Sequence, residues 1–400
     1  MSQGSHTDTV TEVAYSVMEK LANEPTGLIN SVSQNVSNVI AVPFGTSIQS
    51  RVVGDVTVTE SSSAITGTMT LPEGQSTADT VDTFALDTSY ETKIALNGEE
   101  ILHINNTDQP WDSLLGKYLF KFFRNTRNLV EAKVALAALN GASRAFGTAG
   151  TTPFASNYND INGIRKIFID NGVAEDGTWS LVMGTTAGMN LRNLAHLNQA
   201  NTAGTVETLR MGTLLPLSGF MLKESAGIQT HTAASGTGFL VNYVVESEPS
   251  TYAKGTTSIT VDTGTGTIAA GDVITFAGDD NKYVVKSASL TGSAGSVAGT
   301  VVLNGPGLLQ TLDDGVAITK GASYTGNIAL TRDAIELASR APALPPGGDA
   351  AGEHMQIPDP ITGLIYDYAI YRGNLTATLA LRTYVGVKVW NPFEVATLLG

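Results

Sequence analysis

Five histidines are the first residues to weigh for chemistry, and their spacing assigns them none. His6, His103, His196, His231 and His354 are far apart. They form neither the HExxH pair that sets two ring nitrogens on one helix face nor an H-x-H pair. Each reads as an ordinary surface or packed histidine. Cysteine is absent, which removes disulfides, thiolate metal ligands and a thiol nucleophile. No G-x-S-x-G turn presents a serine, and no glycine-rich loop ends in the Gly-Lys-Ser or Gly-Lys-Thr of a phosphate cradle. Gly264-Thr-Gly266 and Gly236-Thr-Gly238 lack the third glycine and following helix of a dinucleotide site. Asp279-Asp280-Asn281 and Asp313-Asp314-Gly315 crowd carboxylates without the ligand spacing of a calcium loop, so turn formation is their expected role. No catalytic, cofactor-binding or metal-ligating residue emerges. The chain is expected not to be an enzyme and to use no cofactor.

One charge pattern does stand out. Lys117, Lys121 and Arg124 recur at i, i+4 and i+7 with no carboxylate three or four residues away, so on a helix they form a basic stripe without a local counter-charge. Arg127 differs, because Glu131 follows four residues later. The stripe calls for a counter-charge from elsewhere, and the chain holds one in reserve. Residues 1–108 carry 14 acids and 3 bases, whereas 109–146 carry 6 bases and 2 acids, within a net charge of −14. Such an acidic whole disfavours indiscriminate nucleic-acid binding. No apolar run approaches 18 residues, and the N-terminus is polar and acidic, so the chain is expected to be soluble and without a secretion signal.

The element that must carry the stripe is a helix over 109–144. Pro110 suits a first turn, and Asp108 and Asp112 put negative charge at its N-terminal end. Leu115, Tyr118, Leu119, Phe122, Leu129, Val130, Val134 and Ala137 give an apolar face, and Asn140-Gly141 a stop. Such a helix is roughly 50 Å long, whereas a compact globule of this length has a radius of gyration of about 21 Å. The expectation is an elongated subunit built on a spine. Val10, Val13, Ala14, Val17, Met18 and Leu21 predict a shorter amphipathic helix over 8–22, docking on its own core or on a neighbour, and a second arm piece to Val39. From Thr46 to Leu96 the period becomes two, and the acidic residues Glu73, Asp79 and Asp82 fall within a long polar hairpin.

Beyond the spine, helices are expected at Asn159–Asp170, Ala187–His196 and Thr331–Arg340. Strands are expected at Trp179–Met183, Thr213–Leu222 and Phe239–Val245, which makes the core α+β. Pro249–Tyr324 has only short strands and turns and reads as an inserted β-barrel or sandwich. Thr376–Trp390 predicts a strand about 50 Å long, matching the spine.

Together the spine, arm helix, acidic hairpin and β-insertion resemble the major capsid proteins of tailed bacteriophages, especially coat proteins of short-tailed enterobacterial phages. Gly271-Asp-Val-Ile-Thr-Phe-Ala-Gly278 looks like the G-D-x-I-x-F-A-G run of that family's inserted domain. Leu381–Val395 is similar to its last strand, with Asn391 where the family has arginine. The resemblance implies the Hong Kong 97-type capsid fold. It divides the chain into an N-terminal arm (1–44), an extended loop (45–90) and a peripheral domain (91–184). An axial domain (185–248 and 326–360), an inserted β-domain (249–325) and C-terminal peripheral strands (361–400) complete it. It further implies self-assembly of hexamers and pentamers into an icosahedral virion shell in the host cytoplasm, with a separate scaffolding protein and a portal. DNA would be enclosed without sequence-specific binding, and no membrane is involved. Val13, Val17, Glu73, Asp79, Asp82, Lys117, Lys121 and Arg124 are then the candidate interface residues, the basic stripe facing a neighbour's acidic hairpin, the interior solvent or DNA. An encapsulin-like bacterial nanocompartment and a Thr/Gly-rich surface adhesin are the rival readings.

Overall fold

The computed structural model describes residues 6–21, 27–36, 42–52, 80–99, 111–194, 197, 214, 216–243, 251–293 and 295–400. The fold is mixed α+β. Helices α1 (His6–Leu21), α2 (Trp111–Gly141), α3 (Asn159–Asp170) and α4 (Thr185–Asn193) flank two large sheets.

The 31 residues of α2 span about 46 Å. The 14-residue strand Thr376–Val389 spans about the same. The two run together. Phe122 meets Tyr366 of the neighbouring strand edge-on and Phe123 meets it tilted, and Gly141 lies against Val389, where a β-carbon would stand 2.6 Å from its side chain. Leu119, Phe122, Phe123, Val130, Val134, Ala138 and Leu139 are buried at helical spacing. Leu129, expected on that face, instead points outward and is 51% exposed.

The long strand pairs along one edge with Thr88–Asn97 and along the other with Ile365–Arg372 and Ile335–Arg340. Ile335–Arg340 was expected within a helix. Only Arg332–Ala334 makes a 3₁₀ turn, because Ile335 and Leu337 fill the core while the backbone pairs on both sides. The second arm piece is likewise a strand after a 3₁₀ turn, Ser33–Val36, parallel to Ile335–Arg340.

Helix α1 docks on α2 of its own chain. Ala14, Val17, Met18 and Leu21 are buried, and Val13 and Val17 approach Gly116, whose missing side chain lets the helices close. The expected Arg127–Glu131 pair is not formed, because both side chains turn inward to other partners. Arg127 donates from Nε and Nη2 to Asp359 at 3.0 and 2.7 Å, and from Nη1 to the Leu21 carbonyl that ends α1. Glu131 accepts the Leu28 and Ile29 amides and the Ser225 hydroxyl.

The second sheet centres on Tyr324–Leu330, Val395–Leu399 and Ser180–Met183, covered by α3 and α4. The expected strand at Thr213–Leu222 is Met221–Glu224, and residues 211–213 and 215 lie outside the described residues. Of the expected Phe239–Val245 strand, Leu240–Val241 is what pairs as a strand among the described residues, which stop at 243. Phe239 and Val241 belong to a separate core with Ile259, Ile274, Phe276, Tyr283 and Leu303. That β-rich segment joins the second sheet through Lys282–Tyr283 against Arg144–Ala145.

Candidate functional site

Helix α2 buries one face because its large apolar residues recur every three or four positions, and the same spacing collects the remainder outside. Lys117, Lys121, Arg124, Asn125, Asn128, Leu129 and Leu136 are exposed. The structure therefore brings the basic stripe together on one face, and adds two leucines seven residues apart, each 51% exposed. Beside them runs Thr88–Asn97, whose ladder partner among the described residues lies on one side only. Tyr90, Ile94, Tyr118, Lys121, Asn125 and Leu129 line a groove between helix and strand. Glu91 borders it but is already engaged. The Lys93 ammonium and the Arg382 guanidinium, each 2.9 Å away, outweigh desolvation and hold its carboxyl below the usual range. An extended segment laid in this groove would meet a ladder edge, apolar side chains and a basic helix face together.

Of the acidic hairpin, Ser47–Val52 and Thr80–Ala85 form an antiparallel pair, and Glu73 and Asp79 lie outside the described residues. Asp82 pairs within its own chain. Lys388 Nζ sits 2.5 Å from its carboxylate, and that hydrogen bond is the main reason the Asp82 carboxyl is held low. Lys388 also lies over the Trp390 ring, which meets Phe84 edge-on. This clasp fixes the base of the hairpin to the sheet. The ion pair and the ring contact gave no sequence signal, because some 300 residues separate Asp82 from Lys388 and Phe84 from Trp390.

The two histidines whose side chains are described each meet one carboxylate. His231 Nε2 lies 2.8 Å from Asp272, and His354 Nε2 lies 2.5 Å from Asp367. Burial pushes the Asp367 carboxyl up, against the pull of His354. Among the described residues, no three of His, Asp and Glu converge as a metal site would require. Asp279 closes its own turn by accepting the Asn281 amide, whereas Asp314 accepts the amide of the distant Tyr243. The G-D-x-I-x-F-A-G segment is structural here: Asp272 is buried, while Ile274 and Phe276 enter the core of the β-rich segment.

No family model and no curated protein matches the sequence. Among solved structures, that of Mycobacterium phage Che8 aligns at 11% identity with a TM-score of 0.48, covering 88% of this chain and 84% of that one. The capsid structure of cyanophage P-SCSP1u aligns at 11% identity and 0.46, covering 92% and 86%. The mature capsid of bacteriophage PhiM1 aligns at 9% identity and 0.46, covering 93% and 86%.

Proposed function

We propose that this chain is a major capsid protein that self-assembles into the icosahedral shell of a tailed bacteriophage, in a Hong Kong 97-type fold with an inserted β-domain. The observation that carries the reading is the pairing of a helix and a strand, each about 46 Å long, in one core that leaves a basic helix face beside a strand edge. A subunit that must tile a thin wall needs such a long, stiff, laterally exposed body. The divisions follow as proposed above: arm 1–44, extended loop 45–90, peripheral domain 91–184 and 361–400, axial domain 185–248 and 326–360, insertion 249–325. The separate core running from Phe239 to Ile318 supports the insertion.

In this reading Lys117, Lys121 and Arg124 receive acidic residues of a neighbouring copy, with Glu73 and Asp79 as the candidates. Asp82, engaged by Lys388, serves that contact by fixing the hairpin's base. Val13 and Val17 serve it by seating α1 on α2. The role is structural, without turnover. The shell assembles in the host cytoplasm with a separate scaffolding protein and a portal, and encloses DNA without reading its sequence. Negative-stain microscopy of the chain co-expressed with the assembly proteins of its phage tests this. Closed, uniform particles are expected, and subunits that stay monomeric under every combination would overturn it.

A further inference from the structure

The C-terminal end of α2 meets the β-rich segment in a cluster that the assembly reading leaves unused. Gly271 adopts φ +85°, and a β-carbon there would stand 2.6 Å from Asn140 Oδ1 and 3.0 Å from the His231 ring. This close approach brings Asp272, whose side chain is fully buried, under three donors from two segments. Ala269 N donates to Oδ2 at 2.8 Å, Ala234 N to Oδ1 at 3.2 Å, and His231 Nε2 lies 2.8 Å from Oδ1. Tyr324, paired with His231 in the ladder, donates its hydroxyl to the Gly271 carbonyl at 2.8 Å. From the same segment, Asn304 Nδ2 donates to the carbonyls of Asn140 and Ala142, both at 2.8 Å. Asn140 lies in the last turn of α2, whose carbonyls lack intrahelical partners, and Ala142 follows the helix directly.

We propose that Asp272 is the pin of a latch through which the β-rich segment caps and orders the last turn of the long helix, so that releasing the pin loosens both. The pin is a carboxylate rather than a neutral acceptor, and charged acceptors make the stronger hydrogen bonds. Its charged form is favoured in place. Burial alone would raise the Asp272 carboxyl, but His231 and the two amides outweigh it and hold it below the usual range. The titratable groups facing the pin are His231 and Tyr324; Asn140 and Ser323, which takes the Ala233 amide, face the same junction without titrating. Because the folded value lies below the ordinary one, the latch is closed above about pH 4 and opens as pH falls further. The inference does not depend on the assembly reading, since it concerns one chain.

Hydrogen exchange on the full-length monomer tests it, with protection at 138–142, 230–234 and 269–276 compared with strand 379–385 as an internal reference. In Asp272→Asn at pH 7 the three junction stretches should lose protection at least tenfold while 379–385 keeps it. Wild type should show the same selective loss as pH falls below about 4, and the variant should lose that pH dependence. Should Asp272→Asn not fold, Tyr324→Phe and Asn304→Ala remove one hydrogen-bonding group each and should give the same ordering with smaller losses. Unchanged protection at 138–142 in these variants would overturn the proposal. So would a loss that spreads equally to 379–385, because the junction would then have no motion of its own.

Discussion

Arg127 donates from each of its three nitrogens inside the molecule: its side chain is 3% exposed, that of Asp359 is fully buried, and the pair joins α1, α2 and the loop before Ile365–Arg372. Removing one member of such a pair leaves a buried charge without compensation. Arg127→Leu should therefore destabilise the monomer by about 3–5 kcal/mol, read as a shift in the urea midpoint. The two buried histidine-bonded aspartates should behave oppositely. Asp272, held low, contributes stability that is present above about pH 4 and lost as pH falls through its folded value. Asp367, pushed up by burial, contributes in the other sense, losing stability as pH rises past the ordinary carboxylate value. At pH 7, Asp272→Asn should cost about 1–3 kcal/mol, whereas Asp367→Asn should be neutral or stabilising. Thermal melts across pH 3–7 distinguish the two; equal losses at pH 7 would show that the hydrogen bonds, not the charges, dominate both sites.

At the scale of elements, α1 belongs to the monomer. Val17 is 5% exposed against α2, so Val17→Asp should cost about 3 kcal/mol or more and lower the melting temperature of the isolated subunit. A variant that melts like wild type would mean that α1 is detached in solution. Elements with a strong period were legible in the sequence: α1 and α2 followed the 3.6-residue repeat, and Thr376–Val389 followed a broad two-residue alternation. Ile335–Arg340 was not. Its Glu, Leu, Ala and Arg favour helix locally, but pairing with two strands and burial of Ile335 and Leu337 override a preference worth only tenths of a kcal/mol per residue. Part of the candidate site was legible for the same reason. Lys117, Lys121 and Arg124 share a face because helical spacing dictates it. Leu129 was misassigned because it borders the buried stripe, and the Arg127–Glu131 spacing imitates a surface pair that tertiary partners then claim. The Lys388 clasp and the Asp272 junction depend on contacts between distant segments, which no local pattern encodes.

For the whole molecule, the exposed face of α2 and the edge strand Thr88–Asn97 form one continuous lateral surface. Lys121 is exposed on it, so Lys121→Glu should leave the monomer's melting temperature nearly unchanged while cutting the yield of closed particles. Restoration by a charge-reversed acid of the hairpin, Glu73→Lys or Asp79→Lys, would identify the partner. If Lys121→Glu and Arg124→Glu both assemble like wild type, the stripe faces the interior rather than a neighbour. If this lateral surface builds a closed shell, a cryo-EM reconstruction of the assembled particles will show it. Icosahedral particles are expected in which a neighbouring copy covers Lys121, Leu129 and the outer edge of Thr88–Asn97 in every subunit. Particles that close with this surface bare, or a chain that forms no closed particle with its assembly partners present, would contradict it.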